Sequence, residues 1–272
     1  MSSEVLLSAH LTVDYPQKPG VLRNVALEIH QGEVLGLVGQ SGCGKSTLAL
    51  AILRLLHLKS AKAEGTLHFQ GRDLMLVPER DMRHLRGKDI ALVLQSPMSA
   101  LNPALRIGTQ MTENWRVHCR GTREERRKIL LQSLENVSLP PEEEFLRRYP
   151  SQLSVGQAQR VLIAMAVMHR PALLIADEAT SALDLITQSE ILNLFATLNQ
   201  KLGMSILFIS HDLLSVSTIS HSVAVMDQGT ILECRRTAEI FSSPNHPYTK
   251  QLVAALPVPP ALLARGASAS SR

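Results

Sequence analysis

No apolar run in this sequence approaches the roughly 18 residues that a membrane-crossing helix needs. The longest candidate, Val161 to Met168, is less than half of that. The opening Met1-Ser2-Ser3-Glu4 lacks the basic start of a secretory leader. Cysteine is scarce as well. Cys43, Cys119 and Cys234 stand far apart with no C-x-x-C pair, so neither a zinc site nor a disulfide framework is indicated and they read as reduced thiols. An excess of charge of one sign is nearly missing, since 28 basic side chains face 24 acidic ones, and a net charge of +4 is too mild to argue for a nucleic-acid partner. These absences predict a soluble, cytoplasmic protein. What is present suffices for a fold: 272 residues, 45% of them hydrophobic, bury a real core in one or two domains.

The most informative stretch is Gly39-Gln40-Ser41-Gly42-Cys43-Gly44-Lys45-Ser46-Thr47, which follows the apolar run Val34-Leu35-Gly36-Leu37-Val38 and precedes Leu48-Ala49-Leu50-Ala51-Ile52-Leu53. That order reads as strand, glycine loop, helix. It fits G-x-x-x-x-G-K-[ST], in which glycines turn backbone N–H groups inward around a phosphate and the following helix aims its positive end at the anion. Lys45 is expected at the β/γ-phosphates and Ser46 at Mg²⁺. Cys43, beside Lys45 and near a helix N-terminus, is expected to be a reactive thiol unless it packs inward.

Upstream, Val5-Leu6-Leu7, Leu11-Thr12-Val13 and Val21-Leu22 to Ile29 read as short strands of an antiparallel sheet. Tyr15 closes one of these runs, either stacked on an adenine base or packed as a rim tyrosine. Downstream, Gly65 to Gly71 reads as a strand and turn, and Asp89 to Gln95 as a buried strand stopped by Ser96-Pro97. Ligands of parallel α/β sheets sit at carboxyl strand ends, so Gln95 is placed to touch a metal or an attacking water; the plainer reading is a loop cap. Ile107 to His118 and Arg123 to Val137 read as helices of an inserted subdomain over about 96–153. The run Arg116 to Lys128 is either a solvated helix face or a surface for lipid headgroups or nucleic acid.

Three further stretches carry chemistry. Ser154-Val155-Gly156-Gln157 precedes the apolar helix Val161 to Met168 and offers either a second phosphate-binding helix end or an ordinary N-cap. Leu173-Leu174-Ile175-Ala176-Asp177-Glu178 is a buried strand ending in two carboxylates: Asp177 suits Mg²⁺, usually through water, and Glu178 is free to polarise the attacking water. Ser181-Ala182-Leu183-Asp184 leads into the helix Ile186 to Leu202. Ser205 to Ser210 is again a buried strand, and His211 after its end is placed to contact the γ-phosphate.

Taken together these residues resemble the ATP-binding subunits of ABC transporters across nearly the whole chain. Gly39 to Ser46 match the Walker A motif, Gln95 the Q-loop, Leu153 to Gln157 the signature, Leu173 to Glu178 Walker B, Ser181 to Asp184 the D-loop and His211 the switch histidine. Gln95-Ser96-Pro97 through Asn102-Pro103, Arg148-Tyr149-Pro150 and Pro244-Asn245-His246-Pro247-Tyr248-Thr249 look like the oligopeptide, dipeptide and nickel importer branch. Three departures stand out: Val155 replaces a glycine, Ala179 replaces a proline, and no cysteine follows Cys234.

The resemblance implies an α/β P-loop NTPase core with a mainly parallel sheet, an N-terminal antiparallel β-subdomain and the inserted helical subdomain. These would form a single ATPase domain over residues 1–265, followed by a disordered tail at 266–272. It implies Mg²⁺ and ATP sandwiched between the Walker loop of one subunit and the signature of another, hence a second ATPase subunit, identical or homologous. It further implies two transmembrane permease subunits, an extracytoplasmic solute-binding protein acting indirectly, no nucleic acid, and a peripheral place on the cytoplasmic face of the inner membrane. The alternatives are a soluble ABC ATPase acting on DNA or ribosomes, and an exporter ATPase. Against the first stand a lone Walker A motif and the absence of extended heptads.

Overall fold

The computed structural model describes residues 4–181 and 183–257, so the expected tail at 266–272 lies outside the described residues. The chain divides into two compact units, residues 1–82 with 205–272, and residues 83–204.

In the first unit, β1 (Val5–Tyr15) pairs antiparallel with β2 (Lys18–His30). The pairs Leu7 with Ile29, Ala9 with Leu27, Leu11 with Val25 and Val13 with Leu22 put every apolar partner on one buried face. Each such cross-strand pair contributes about 0.2–1 kcal/mol beyond an alanine pair, and the irregularity between Leu11 and Val13 shifts the pairing while both partners stay buried. The two short runs expected within residues 5–13 are therefore one strand. β3 (Val34–Val38) is buried along its whole length and leads into α1 (Lys45–Ile52). β4 (Lys62–Phe69) lies antiparallel on the other side of β1, and β5 (Arg72–Asp73) closes that sheet in the order β2-β1-β4-β5. Helix α2 (Glu79–Leu85) spans the point where the chain passes from one unit to the other.

The second unit has the parallel pair β6 (Ile90–Val93) and, much later in sequence, β7 (Leu173–Asp177). Between them come α3 (Pro97–Ala100), α4 (Ile107–His118), α5 (Arg123–Asn136), α6 (Glu143–Arg147) and α7 (Val155–Val167). Thr122 and Glu125 start α5 with a reciprocal capping box, a signature that is local in sequence. After β7, α8 (Leu185–Leu202) buries Ile191, Leu194, Phe195 and Leu198 at helical spacing and ends on Gly203 in the left-handed region.

The chain then returns to the first unit. β8 (Ser205–Ser210), wholly buried, runs parallel to β3, α9 (Leu213–Ile219) follows, and β9 (Ser222–Asp227) runs parallel to β3 on its other side. β10 (Thr230–Arg236) turns back antiparallel to β9, and the short helices α10 (Thr237–Ser242) and α11 (Pro247–Ala254) complete the described chain. Among the described residues no helix is long and apolar enough to cross a membrane.

Candidate phosphate-binding site

In the first unit the loop 39–44 connects the end of β3 to the start of α1. Gly44 is the N-cap of α1 with φ at 115°, and a Cβ there would stand 2.7 Å from Leu22 Cδ2 and 3.0 Å from the Val21 carbonyl oxygen. Only glycine fits. Because Gly44 supplies no capping side chain and the first turn of α1 carries no acid, the positive end of that helix is left to an external anion. Lys45 is buried, and its ammonium folds back to donate to the Gly39 carbonyl at 2.7 Å and the Gln40 carbonyl at 3.0 Å, at the start of the loop that continues through Ser41 and Gly42. Ser46 is exposed beside it. Tyr15, half-buried at the end of β1, shares a 3.3 Å hydrogen bond with the Thr47 hydroxyl, which ties its ring to the first turn of α1. A cavity of about 300 Å³ adjoins the loop, lined among others by Lys18, Arg23, Gln40, Ser41, Gly42 and Asp227.

Strand register accounts for His211. Val38 of β3 lies opposite Ser210 of β8, so Gly39 and His211 leave the sheet at the same edge. His211 is exposed there, and Asp212 caps α9 by accepting from the Leu214 and Ser215 amides. Of the two sequence readings of Cys43, the structure has the thiol packed inward. It is buried, and burial pushes its pKa up more than the neighbouring Lys45 charge pulls it down.

The second unit shows the same device. Val93 of β6 lies opposite Ala176 of β7, so Gln95 and Glu178 each sit two residues past the paired ends, on one edge. The Gln95 amide donates to the Ser181 hydroxyl at 2.9 Å, and that hydroxyl donates to the Glu178 carbonyl at 3.1 Å. Asp177 is the half-buried last residue of β7. Glu178 itself is held in the left-handed region at φ 49°, a conformation that costs a non-glycine residue on the order of 1 kcal/mol and gathers at functional sites.

The signature residues lie inside the first turn of α7, which starts at Val155 rather than near Val161. Ser154 accepts from the Gln157 amide at 3.2 Å while the Gln157 side chain accepts from the Ser154 amide at 3.1 Å. Val155 stands exposed on that turn. A Cβ on Gly156 would lie 2.7 Å from the Thr187 methyl, so the start of α7 and the start of α8 meet here. Thr187 in turn donates to Asp184, whose carboxylate also accepts from the Ile186 and Thr187 amides. Those hydrogen bonds from Thr187 hold the Asp184 carboxyl below its usual pKa.

The site residues thus fall into three local groups: the loop with Tyr15 and the His211 edge, Gln95 with Ser181 and Glu178, and Ser154 to Gln157 with Asp184. Tyr248 was not foreseen. Its buried hydroxyl lies near the Gln40 amide, Asp227 and Cys43 without reaching hydrogen-bond geometry, and burial raises its pKa. The block Asn245 to Thr249 marks it in sequence, but nothing local says that the block packs behind the phosphate loop. Glu233 of β10 secures that block by accepting from the Asn245 and His246 amides at 2.9 and 3.0 Å.

Comparison with known proteins gives a consistent picture. A family model described as ABC transporter matches residues 22–181. The glutathione import ATP-binding protein GsiA of Salmonella choleraesuis is 43% identical over 247 residues, which is 89% of this chain and 40% of that protein. GsiA of Escherichia coli O6:H1 is 40% identical over 265 residues, 94% of this chain and 42% of that protein. The chain therefore spans about two fifths of the length of these relatives. Among solved structures, CbiO1 from Clostridium perfringens, described as part of the ABC transporter complex cbiONQ, superposes with a TM-score of 0.77 at 25% identity over 96% of this chain and 99% of that one. The ATP-binding cassette MJ0796, a dimeric post-hydrolysis state bound to ADP and Pi, gives a TM-score of 0.72 at 28% identity over 86% and 98%.

Proposed function

The chain belongs to the ABC transporter family, and from that premise we propose that it is the ATP-binding, ATP-hydrolysing subunit that energises import of a peptide, nickel or a related small solute. The observation that carries this reading is the phosphate loop: a glycine N-cap that no other residue fits, an uncapped helix start, and a buried lysine folded back onto it.

In this reading residues 1–265 act as one ATPase domain, with the helices of 96–153 as its arm. MgATP, when bound, supplies the transferable phosphoryl group and the divalent charge. Gly39 to Thr47 present amides to the phosphates, and Lys45 swings from its two carbonyl partners onto the β/γ-phosphates. Tyr15 stacks on the base. The hydroxyl of Ser46 and the oxygens of Asp177 and Gln95 are the hard donors that Mg²⁺ prefers. Glu178 orients and polarises the attacking water, and His211 donates to the γ-phosphate. Ser154, Val155, Gly156 and Gln157 face the nucleotide of a second ATPase subunit, whose identity with this chain or homology to it is open. Ser181 ties Gln95 to the Glu178 backbone, so movement of the glutamine loop and of the catalytic carboxylate are linked by two hydrogen bonds.

Two transmembrane permease subunits and, indirectly, an extracytoplasmic solute-binding protein complete the proposed assembly on the cytoplasmic face of the inner membrane. An apolar cavity of about 190 Å³ lined by Leu94, Ala100, Leu162 and Met165, next to Gln95 in sequence, supports a protein partner there. Similarity to proteins named for glutathione import favours a small peptide-like cargo over nickel.

The test is Glu178→Gln in the assembled complex. The amide keeps the shape and loses the carboxylate, so ATP should still bind while turnover falls by roughly 10²–10⁴-fold. Wild-type turnover would refute the assignment, and co-purification with permease subunits from membranes checks the transport role.

A further inference from the structure

Three helices of the second unit turn arginines toward one shared space. Helix α5 contributes Arg123, Arg126 and Arg127, which with Leu130 follow the i, i+3, i+4, i+7 spacing of a single helix face. Arg147 comes from α6 and Arg106 from the N-cap of α4, which also offers the hydroxyls of Thr109 and Thr112. The close approach of α4 and α6 depends on Gly108, where a Cβ would meet the Leu146 carbonyl oxygen at 2.9 Å. The cavity so formed measures about 410 Å³ and holds five guanidiniums against the one carboxylate of Glu143, which pairs with Arg127.

We infer that this cavity is a binding site for a phosphate-bearing ligand, distinct from the phosphate loop. Five guanidiniums lining one cavity concentrate positive charge there, and an anion that accepts paired N–H donors from several of them offsets it. Arg106 already lies over the Tyr149 ring and Arg126 over the Trp115 ring, at 5.6 and 6.0 Å, so two of the forks are oriented before any ligand arrives. The volume lies within the range of small-molecule sites, and the arginines of three helices converge on one open depression instead of forming a stripe, which favours a compact phosphate over a nucleic-acid backbone. A soluble phosphate compound and a lipid headgroup share this chemistry.

Trp115 is the chain's single tryptophan and lies against Arg126, so its fluorescence reports on the site. With the full chain saturated with MgADP, inorganic pyrophosphate should shift that fluorescence saturably. Arg123→Gln with Arg147→Gln, both exposed and outside the caps of their helices, should weaken the response roughly tenfold or more while leaving the thermal melt in place. Co-sedimentation with phosphatidylglycerol vesicles, against phosphatidylcholine vesicles, forms the second arm. Pyrophosphate binding that the double variant loses assigns a soluble ligand, and binding to the anionic vesicles alone, lost in the same variant, assigns a lipid headgroup. Absence of both, binding that the substitutions leave untouched, or preference for single-stranded DNA over both probes overturns the inference.

Discussion

Two helix starts in this chain were candidates for holding phosphate, and they are built in opposite ways. The start of α1 has a glycine cap, no acid in its first turn and a lysine folded back onto the loop, so its donors await an anion from outside. The start of α7 satisfies itself: Ser154 and Gln157 exchange hydrogen bonds, and the neighbouring Thr187 and Asp184 form a second closed set. An open start binds, whereas a self-capped start keeps its shape and presents it. That division fits the proposal above, in which the loop grips its own nucleotide and the signature docks on another subunit's.

The sharpest way to break this comparison is to put the same substitution at both ends. Alanine at Gly44 must adopt φ near 115° and push against Leu22 and the Val21 carbonyl, so Gly44→Ala should cost ATP binding on the order of a hundredfold or more. Alanine at Gly156 meets only the Thr187 methyl, a side-chain atom, so Gly156→Ala should bind ATP as before and lose turnover in the assembled complex. Equilibrium binding of a fluorescent ATP analogue separates the two, and equal losses of binding would end the distinction.

The next effect is on stability. Removing the cap with Ser154→Ala should cost about 1 kcal/mol, and Ser154→Asn, which caps as well as serine, should restore it. If turnover returns with Asn as fully as the melting temperature does, the serine acts only as a cap. Turnover that stays low with the fold restored means the hydroxyl also touches the partner's phosphate.

What the sequence made legible divides along similar lines. The loop 39–47, the strand-end residues Gln95, Asp177, Glu178 and His211, and the cap at Ser154 are local patterns, and each could be read from a few neighbours. The apolar run that marks the body of α7 begins only at Val161, so its first turn is legible through the Ser154–Gln157 cap spacing alone. The hairpin of β9 and β10 went unread between stronger signals. Tyr248 behind the phosphate loop and the gathering of Arg106, Arg123 and Arg147 could not be read at all, because each depends on contacts between segments far apart in sequence.

A smaller effect follows from Asp184, the cap of α8. Its carboxyl titrates below the ordinary value of 3.8 because Thr187 donates to the charged form. The folded value is the depressed one, so the stabilisation is complete above the ordinary pKa and is lost as pH falls through the lower folded value. The melting-temperature advantage of wild type over Asp184→Asn should be present at about pH 6 and should shrink below about pH 4. An advantage unchanged across that range would place the stabilisation elsewhere.

The smallest effect is expected at Cys43, where the two features of the open loop oppose each other. Proximity to Lys45 and to the start of α1 favours a thiolate, but the side chain is packed beneath the loop, and burial is the larger influence on its pKa. Lys45 stands 4.0 Å from the sulfur with its ammonium directed to the Gly39 and Gln40 carbonyls, and its charge is the main influence that opposes burial without overcoming it. Cys43→Ser should therefore leave ATP turnover within about twofold, since the change is nearly isosteric and the thiol has no part in the proposed chemistry. Brief treatment of the native chain with a maleimide at neutral pH should leave Cys43 unmodified, while the same treatment in denaturant modifies it, as peptide mass spectrometry can establish. Rapid native labelling at Cys43 that inactivates the protein and is blocked by prior MgATP would show that the dipole and the lysine outweigh burial after all.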